Sequence, residues 1–151
     1  MKEGVNEMGG TLRSNKILVI DDEEGPRQSL KMILKDDYEV LTTDDPVKAL
    51  EIIVKGDIDI VALDIKMPKV NGIEILHNIK KTSPDVEVFL ITGFPSVSTA
   101  IEAIQYGAYD YVVKPFDRDA VLNVVRRGLN RRSQNMLEKE VLGDLRFLKW
   151  V

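Results

Sequence analysis

Five times along this chain a short apolar run breaks off on a polar residue, and each run is followed within a few residues by a stretch with helical spacing. The third run is the most telling. In 58–72, IDIVALDIKMPKVNG, an apolar run too short for an ordinary helix ends on Asp64 and is followed by Met67-Pro68 and Asn71-Gly72. Such a run suits a parallel strand covered on both faces, with Pro and Gly turning the chain away beyond it. Asp64 then stands at the carboxyl end of a strand, in a loop mouth. Taken alone, it reads as a cap for the helix that opens near Asn71.

The remaining runs repeat the pattern, with strands expected over 16–20, 38–42, 57–64, 86–92 and 109–113. Gly25-Pro26 suits the first turn of a helix whose inward face is Leu30, Ile33 and Leu34. Asp44 or Asp45 with Pro46 opens a second helix, with Val47, Leu50, and Ile53 or Val54 inward. A third helix spans 71–82 with Ile75, Leu76 and Ile79 inward, a fourth spans 95–106 and is closed by Gly107, and a fifth starts near Asp117 with Leu122, Val125 and Leu129 on one face. Strands and helices that alternate through short connections predict an α/β fold with helices on both faces of a five-stranded parallel sheet. Five such units favour the flavodoxin-like order 2-1-3-4-5, with the second, least apolar strand at an edge.

Length and composition set the limits. A chain of 151 residues suits one domain with tails. The first 15 residues lack both period and apolar core, so a disordered leader is expected there and a secretory signal is not. No apolar segment approaches the ~20 residues needed to cross a bilayer, so the expectation is a cytoplasmic protein without membrane contact. The absence of Cys removes disulfide and thiolate chemistry, and the single His77, on an amphipathic helix, suits a surface or interface role rather than catalysis. A net charge of -4 argues against a nucleic-acid surface spread over the whole molecule.

The function is read from what the strands end on: Asp21 and Asp22 after the first, Asp64 after the third, Thr92 after the fourth and Lys114 after the fifth. In the expected sheet these groups converge on one crevice. Clustered carboxylates repel strongly unless positive charge is supplied, and a divalent cation with Lys114 supplies it. Mg²⁺ fits, because it prefers oxygen ligands, needs few carboxylates and keeps positions open for phosphate oxygens.

With VIDDEE, the DIKMPKVNG run in the pattern D-x-x-M-P-x-x-x-G, LITG, and YVVKPF in this order, residues 16 to about 130 resemble a receiver domain of two-component response regulators, of the CheY-like superfamily. The resemblance implies that Asp64 accepts a phosphoryl group from a phosphohistidine on a sensor histidine kinase or phosphotransfer protein, with Mg²⁺ required. It implies that Asp22 ligates the metal directly, Asp21 largely through water, and Asp64 through its second oxygen, with the backbone carbonyl of Lys66 completing the set. It further implies that Thr92 and Lys114 stabilise the phosphoryl group, that Tyr111 is an aromatic switch, that Lys114-Pro115 is cis, and that the output face is helix four, strand five and helix five. The wording TGFPSVSTAIEAIQYGAYDYVVKPF is similar to receivers of NtrC-type activators, which carry an ATPase domain. This chain has no G-x-x-x-x-G-K-[ST] loop of its own. The expected role is therefore a signalling switch that assists its own phosphorylation and dephosphorylation, not an enzyme. Lys66 reads either as a solvated loop side chain or as a group leaning over the acyl phosphate, where it would hinder attacking water.

Two other classes are weighed against this. A phosphatase of the haloacid-dehalogenase kind also places a nucleophilic Asp after a strand, but it wants a second acid two residues on, where this chain has Lys66. A flavin or nucleotide module would need a phosphate-cradling loop after strand one, where this chain has DDEE. Beyond Asn130, residues 131–151 read as a helical tail, either one extended helix or a second helix after a break, with Gly143 weakening it. That tail serves either as a solvated linker to an output domain absent from this chain or as a segment that forms a homodimer. Arg126, Arg127, Arg131 and Arg132 lack interleaved aromatics, so direct nucleic-acid binding is not expected.

Overall fold

The computed structural model describes residues 4–5, 11–12 and 14–148. Its five main strands are Lys16–Ile20 (β1), Glu39–Thr43 (β2), Ile60–Asp64 (β3), Glu87–Thr92 (β4) and Asp110–Val113 (β5), and they form one parallel sheet in the order β2-β1-β3-β4-β5. This is the expected 2-1-3-4-5 order, with β2 at an edge. The helices are Glu24–Leu34 (α1), Pro46–Val54 (α2), Gly72–Thr82 (α3), Val97–Gln105 (α4) and Arg118–Leu148 (α5).

Alternation along the strands builds two cores, one on each face. Ile17, Val19, Ile60, Ala62, Phe89 and Ile91 pack with Leu30 and Leu34 of α1 and with Val121, Val124 and Val125 of α5. Leu18, Ile20, Val61, Leu63, Val88 and Leu90 pack with Ala49 and Ile53 of α2, with Ile75, Leu76 and Ile79 of α3, and with Ala103 of α4. With both faces covered, the central strands must be apolar at every position, and β3 is buried throughout. Register then fixes where the strands end: Ile20 pairs with Leu63, Asp64 with Ile91 and Thr92 with Val113. The polar residues that close the apolar runs are thereby brought to one rim.

Four details differ from the sequence reading. The third strand begins at Ile60 rather than at 57, because Gly56 and Asp57 turn through positive φ of 88° and 76°. Helix α4 begins at Val97, with Ser96 as its cap accepting from the Thr99 N–H at 3.1 Å. The inward face of α5 is Val121, Val124 and Val125, while Leu122 and Leu129 are only half-buried. The close approach of Gly128 explains the rotation: a Cβ there would lie 2.3 Å from the Tyr109 hydroxyl and 2.8 Å from Ile60. That hydroxyl donates to the Val124 carbonyl at 2.8 Å, so Gly128→Ala would overpack the contact by about 1–3 kcal/mol. Last, within the leader, Gly4–Val5 and Thr11–Leu12 pair as a short antiparallel ladder, where disorder was expected. The leader's other positions through 13 lie outside the described residues.

Through Leu148 the tail is one continuous helix. α5 runs for 31 residues and passes Gly143 without a break, which chooses the extended-helix alternative. Among the described residues no helix is long and apolar enough to cross a membrane. His77 packs edge-on against Tyr106, with ring centroids 5.5 Å apart.

Candidate functional site

Beyond β1 and at the end of β3, Asp21 and Asp64 adopt the same local arrangement. The Oδ1 of Asp21 accepts from the Glu23 N–H at 2.9 Å, and the Oδ1 of Asp64 accepts from the Lys66 N–H at 2.9 Å. Each Asp thus braces its own loop two residues on, a turn that short carboxylates favour. Their other oxygens converge: the Lys114 ammonium donates to Oδ2 of Asp21 and to Oδ2 of Asp64, both at 3.2 Å. Both carboxylates are buried, at 1% and 2% exposure. Asp22 and Glu23 are exposed beside them, and one carboxylate oxygen from each of Asp21, Asp22, Glu23 and Asp64 lies within 4.8 Å of the other three.

The loop after Asp64 is held by packing. Met67 is 6% exposed in the core, and Lys69 turns through φ 68°. Asn71 caps α3 by accepting from the Ile73 N–H at 3.0 Å. A Cβ on Gly72 would stand 2.4 Å from the Ile65 Cα, so the spacing from Asp64 to this glycine is a packing requirement. On the opposite wall, the Lys114 N–H donates to the Thr92 carbonyl at 2.7 Å, and the Lys114-Pro115 peptide bond is cis. Buried Thr92 accepts at its hydroxyl oxygen from the Phe94 N–H at 3.0 Å, which leaves the hydroxyl proton available to a ligand.

Charge in this crevice is out of balance, because four carboxylates face the Lys114 ammonium. Burial pushes the Asp21 carboxyl up to about 6, and the negative charge of Asp64 adds to the rise, while the Glu23 N–H and Lys114 oppose it. Burial alone would lower the Lys114 ammonium, yet Asp21 and Asp64 outweigh it and the net shift is upward. Two buried carboxylates gathered with two exposed ones in an all-oxygen cluster fit a hard divalent cation, which would relieve their mutual repulsion.

The structure therefore brings Asp21, Asp22, Asp64 and Lys114 together, with Thr92 on the adjoining strand end. Lys66 contributes its N–H to Asp64, and its ammonium lies 5.3 Å from the centre of the exposed Phe94 ring. Tyr111 is tied to the loop before α4, its hydroxyl accepting from the Ser96 N–H at 3.3 Å. Sequence reasoning missed Glu23, whose Oε1 is 3.9 Å from the Lys114 ammonium, although the four-acid run DDEE was a signal for it. It also missed Arg27, whose guanidinium donates to the Asp21 carbonyl at 2.9 Å, and Phe94. A cleft of about 510 Å³ opens beside the site between Gly25, Pro26 and Ser29 on one side and Lys114, Pro115 and Phe116 on the other.

With this geometry in place, comparison with known proteins is direct. Residues 17–126 match the family model described as the response regulator receiver domain. Regulatory protein AtoC of Escherichia coli (strain K12) is 34% identical over 128 residues, covering 84% of this chain and 27% of the relative. Response regulator MprA of Mycobacterium sp. (strain KMS) is 35% identical over 119 residues, covering 78% of this chain and 52% of the relative. This chain thus spans between about a quarter and a half of those relatives. The beryllofluoride-activated NtrC4 receiver domain dimer superposes with a TM-score of 0.75 at 34% identity, covering 78% of this chain and 98% of that one. Sheet order, crevice and sequence agree, and the chain belongs to the response regulator receiver domain family of two-component signalling, with the CheY-like fold.

Proposed function

We propose that the Asp64 carboxylate accepts a phosphoryl group from a phosphohistidine on a sensor histidine kinase or phosphotransfer protein. The observation that supports this most is the shared Lys114 ammonium, which draws the Oδ2 atoms of Asp21 and Asp64 to one point while Oδ1 of each is held by its own loop. In the transfer, an Asp64 oxygen attacks phosphorus in line. The new P–O bond forms as the P–N bond of the donor breaks, and the electron pair leaves on the imidazole, which takes up a proton. Lys114 offsets charge on the phosphoryl oxygens, and the Thr92 hydroxyl donates to one of them. Asp21, Asp22 and Asp64 with the Lys66 carbonyl would hold Mg²⁺, whose charge would offset what remains on the phosphoryl oxygens.

The bound phosphoryl group draws Thr92, and with it the Phe94 N–H that Thr92 accepts from. The motion reaches Ser96 and the Tyr111 hydroxyl, and so the face of α4, β5 and α5. This is a cytoplasmic signalling role, in which the domain assists its own phosphorylation and dephosphorylation. Incubation with acetyl phosphate and Mg²⁺ followed by mass measurement is expected to add one phosphoryl group, lost in Asp64→Asn. An unmodified wild type would overturn the reading, and rapid turnover of a phosphoester would favour the phosphatase class instead. Lys66, held against Phe94, screens the acyl phosphate from water. Lys66→Ala is therefore expected to shorten the lifetime of the phosphorylated form severalfold, and an unchanged lifetime would refute that role.

The chain also forms a homodimer. This is supported by the similarity to a receiver that is a dimer, and by the exposed apolar residues Leu137, Val141, Leu142 and Leu145 on the tail. Sedimentation measurements should find a dimer that Leu137→Lys with Val141→Lys weakens.

A further inference from the structure

At the end of the sheet opposite Asp64, two more carboxylates are almost fully buried. Asp59, just before β3, is 2% exposed, and Glu87, the first residue of β4, is 3% exposed. They are neighbours: the Glu87 N–H donates to the Asp59 carbonyl at 3.2 Å, and the Asp59 Oδ2 accepts from the Lys16 N–H at 2.8 Å. A buried carboxylate is tolerated only when opposite charge and hydrogen bonds reach it.

Beside the Lys80 ammonium of α3, which acts on Glu87 and Asp85 through space, the side chains that reach these acids come from α5 after it has left the apolar core. The Arg131 Nε donates to Glu87 Oε2 at 3.1 Å, and the Asn135 Nδ2 donates to Glu87 Oε1 at 3.2 Å. The Arg132 Nε lies 3.6 Å from Asp59 Oδ1, and Lys139 pairs with Asp85. At 100° per residue, positions 131, 132, 135 and 139 fall on a single stripe roughly 100° wide. The acids lie inside the stretch that matches the receiver family, 17–126, whereas every one of these α5 partners lies beyond it. The pairing is therefore a property of this chain that the family match does not supply.

We propose that the base of the sheet anchors the chain's own helical extension, with Asp59 and Glu87 as the acidic receptor and Arg131, Arg132 and Asn135 as the groups that seat in it. Residues 131–139 then belong to the receiver body and are not a solvated linker. The anchor also sets how the rest of the tail is turned. Leu137, Val141 and Leu145 centre roughly 130° around the helix from the anchoring stripe, so they are turned away from the base and remain exposed.

Hydrogen exchange on the full chain tests this, comparing wild type with Arg131→Ala/Asn135→Ala and with Glu87→Gln. Arg131 is 57% exposed, so its removal empties no core, and the amides of β1 and β3 report whether the fold is intact. In both variants the amides of 133–142 are expected to exchange at least tenfold faster, with the sheet unchanged. Tail exchange that stays at the wild-type rate in the double variant would overturn the anchor. So would tail protection that is absent from the dimer-weakened Leu137→Lys/Val141→Lys variant, which would assign the order to a second copy.

Discussion

At the carboxyl end of the sheet four acids, Asp21, Asp22, Glu23 and Asp64, share the Lys114 ammonium, whereas at the amino end Asp59, Asp85 and Glu87 are met by Arg131, Arg132 and Lys139, with Asn135 filling in. Both ends bury carboxylates, and both reach them with groups distant in sequence. The difference lies in what is left over. At the carboxyl end, burial and an excess of negative charge raise the Asp21 carboxyl to about 6, an imbalance that a bound cation would relieve. At the amino end Arg131, Arg132 and Lys139, with Lys80 beside them, leave the three acids no excess of negative charge, and that is how a structural joint looks. Clustered acids alone do not mark a functional site, but clustered acids left without enough counter-charge do.

The contrast gives opposite signs for one kind of mutation. In metal-free buffer, Asp21→Asn is expected to stabilise the protein by roughly 1 to 3 kcal/mol, because it removes a buried charge while the amide oxygen still accepts from Glu23. Glu87→Gln is expected to destabilise it by a similar ~1 to 3 kcal/mol, less than for a fully buried pair since Arg131 is partly in water. Urea unfolding of both variants decides, and equal signs would dissolve the distinction between the two ends. The next effect is smaller. At about ten times its Kd, Mg²⁺ should stabilise wild type and Glu87→Gln alike by ~1.4 kcal/mol, and Asp21→Asn much less; thermal shifts would show it.

The smallest effect concerns the outer pair at the base. The hydrogen bond from Lys139 holds the Asp85 carboxyl below its ordinary range. A depressed carboxyl contributes stability above its unfolded value, about pH 4, and loses that contribution as pH falls through the lower folded value. Lys139→Ala should therefore cost no more than about 0.5 kcal/mol at neutral pH and converge on wild type in acid. A gap that persists in acid would mean that Lys139 acts by packing.

The carboxyl end was legible in the sequence because parallel register does the assembling. Once Ile20, Asp64 and Thr92 are known to close apolar runs of a doubly wound sheet, their neighbours must meet. Glu23 escaped notice because a helix start explains an acid there without any site. The amino end was not legible at all. Asp59 and Glu87 precede or begin strands, where a polar residue is ordinary, and Arg131 and Asn135 pair with Glu87 across 44 and 48 residues. The inward face of α5 was misjudged for a related reason, since hydrophobic spacing favoured Leu122 and Leu129 while the Gly128–Tyr109 contact decided the rotation. Gly143 counted against a continuous helix, yet the helix formers around it, LEKEVLGDLR, carry the chain through.

The length of α5 has a mechanical consequence. From Lys139, the last residue seated at the base, to Leu148 the helix extends about 14 Å, so a tilt of about 5° at the anchor sweeps its far end through roughly 1 Å. Shifts of that size separate the two states of many packed interfaces. A tilt too small to disturb either core would thus arrive at the end of the tail magnified, as displacement instead of as a new contact.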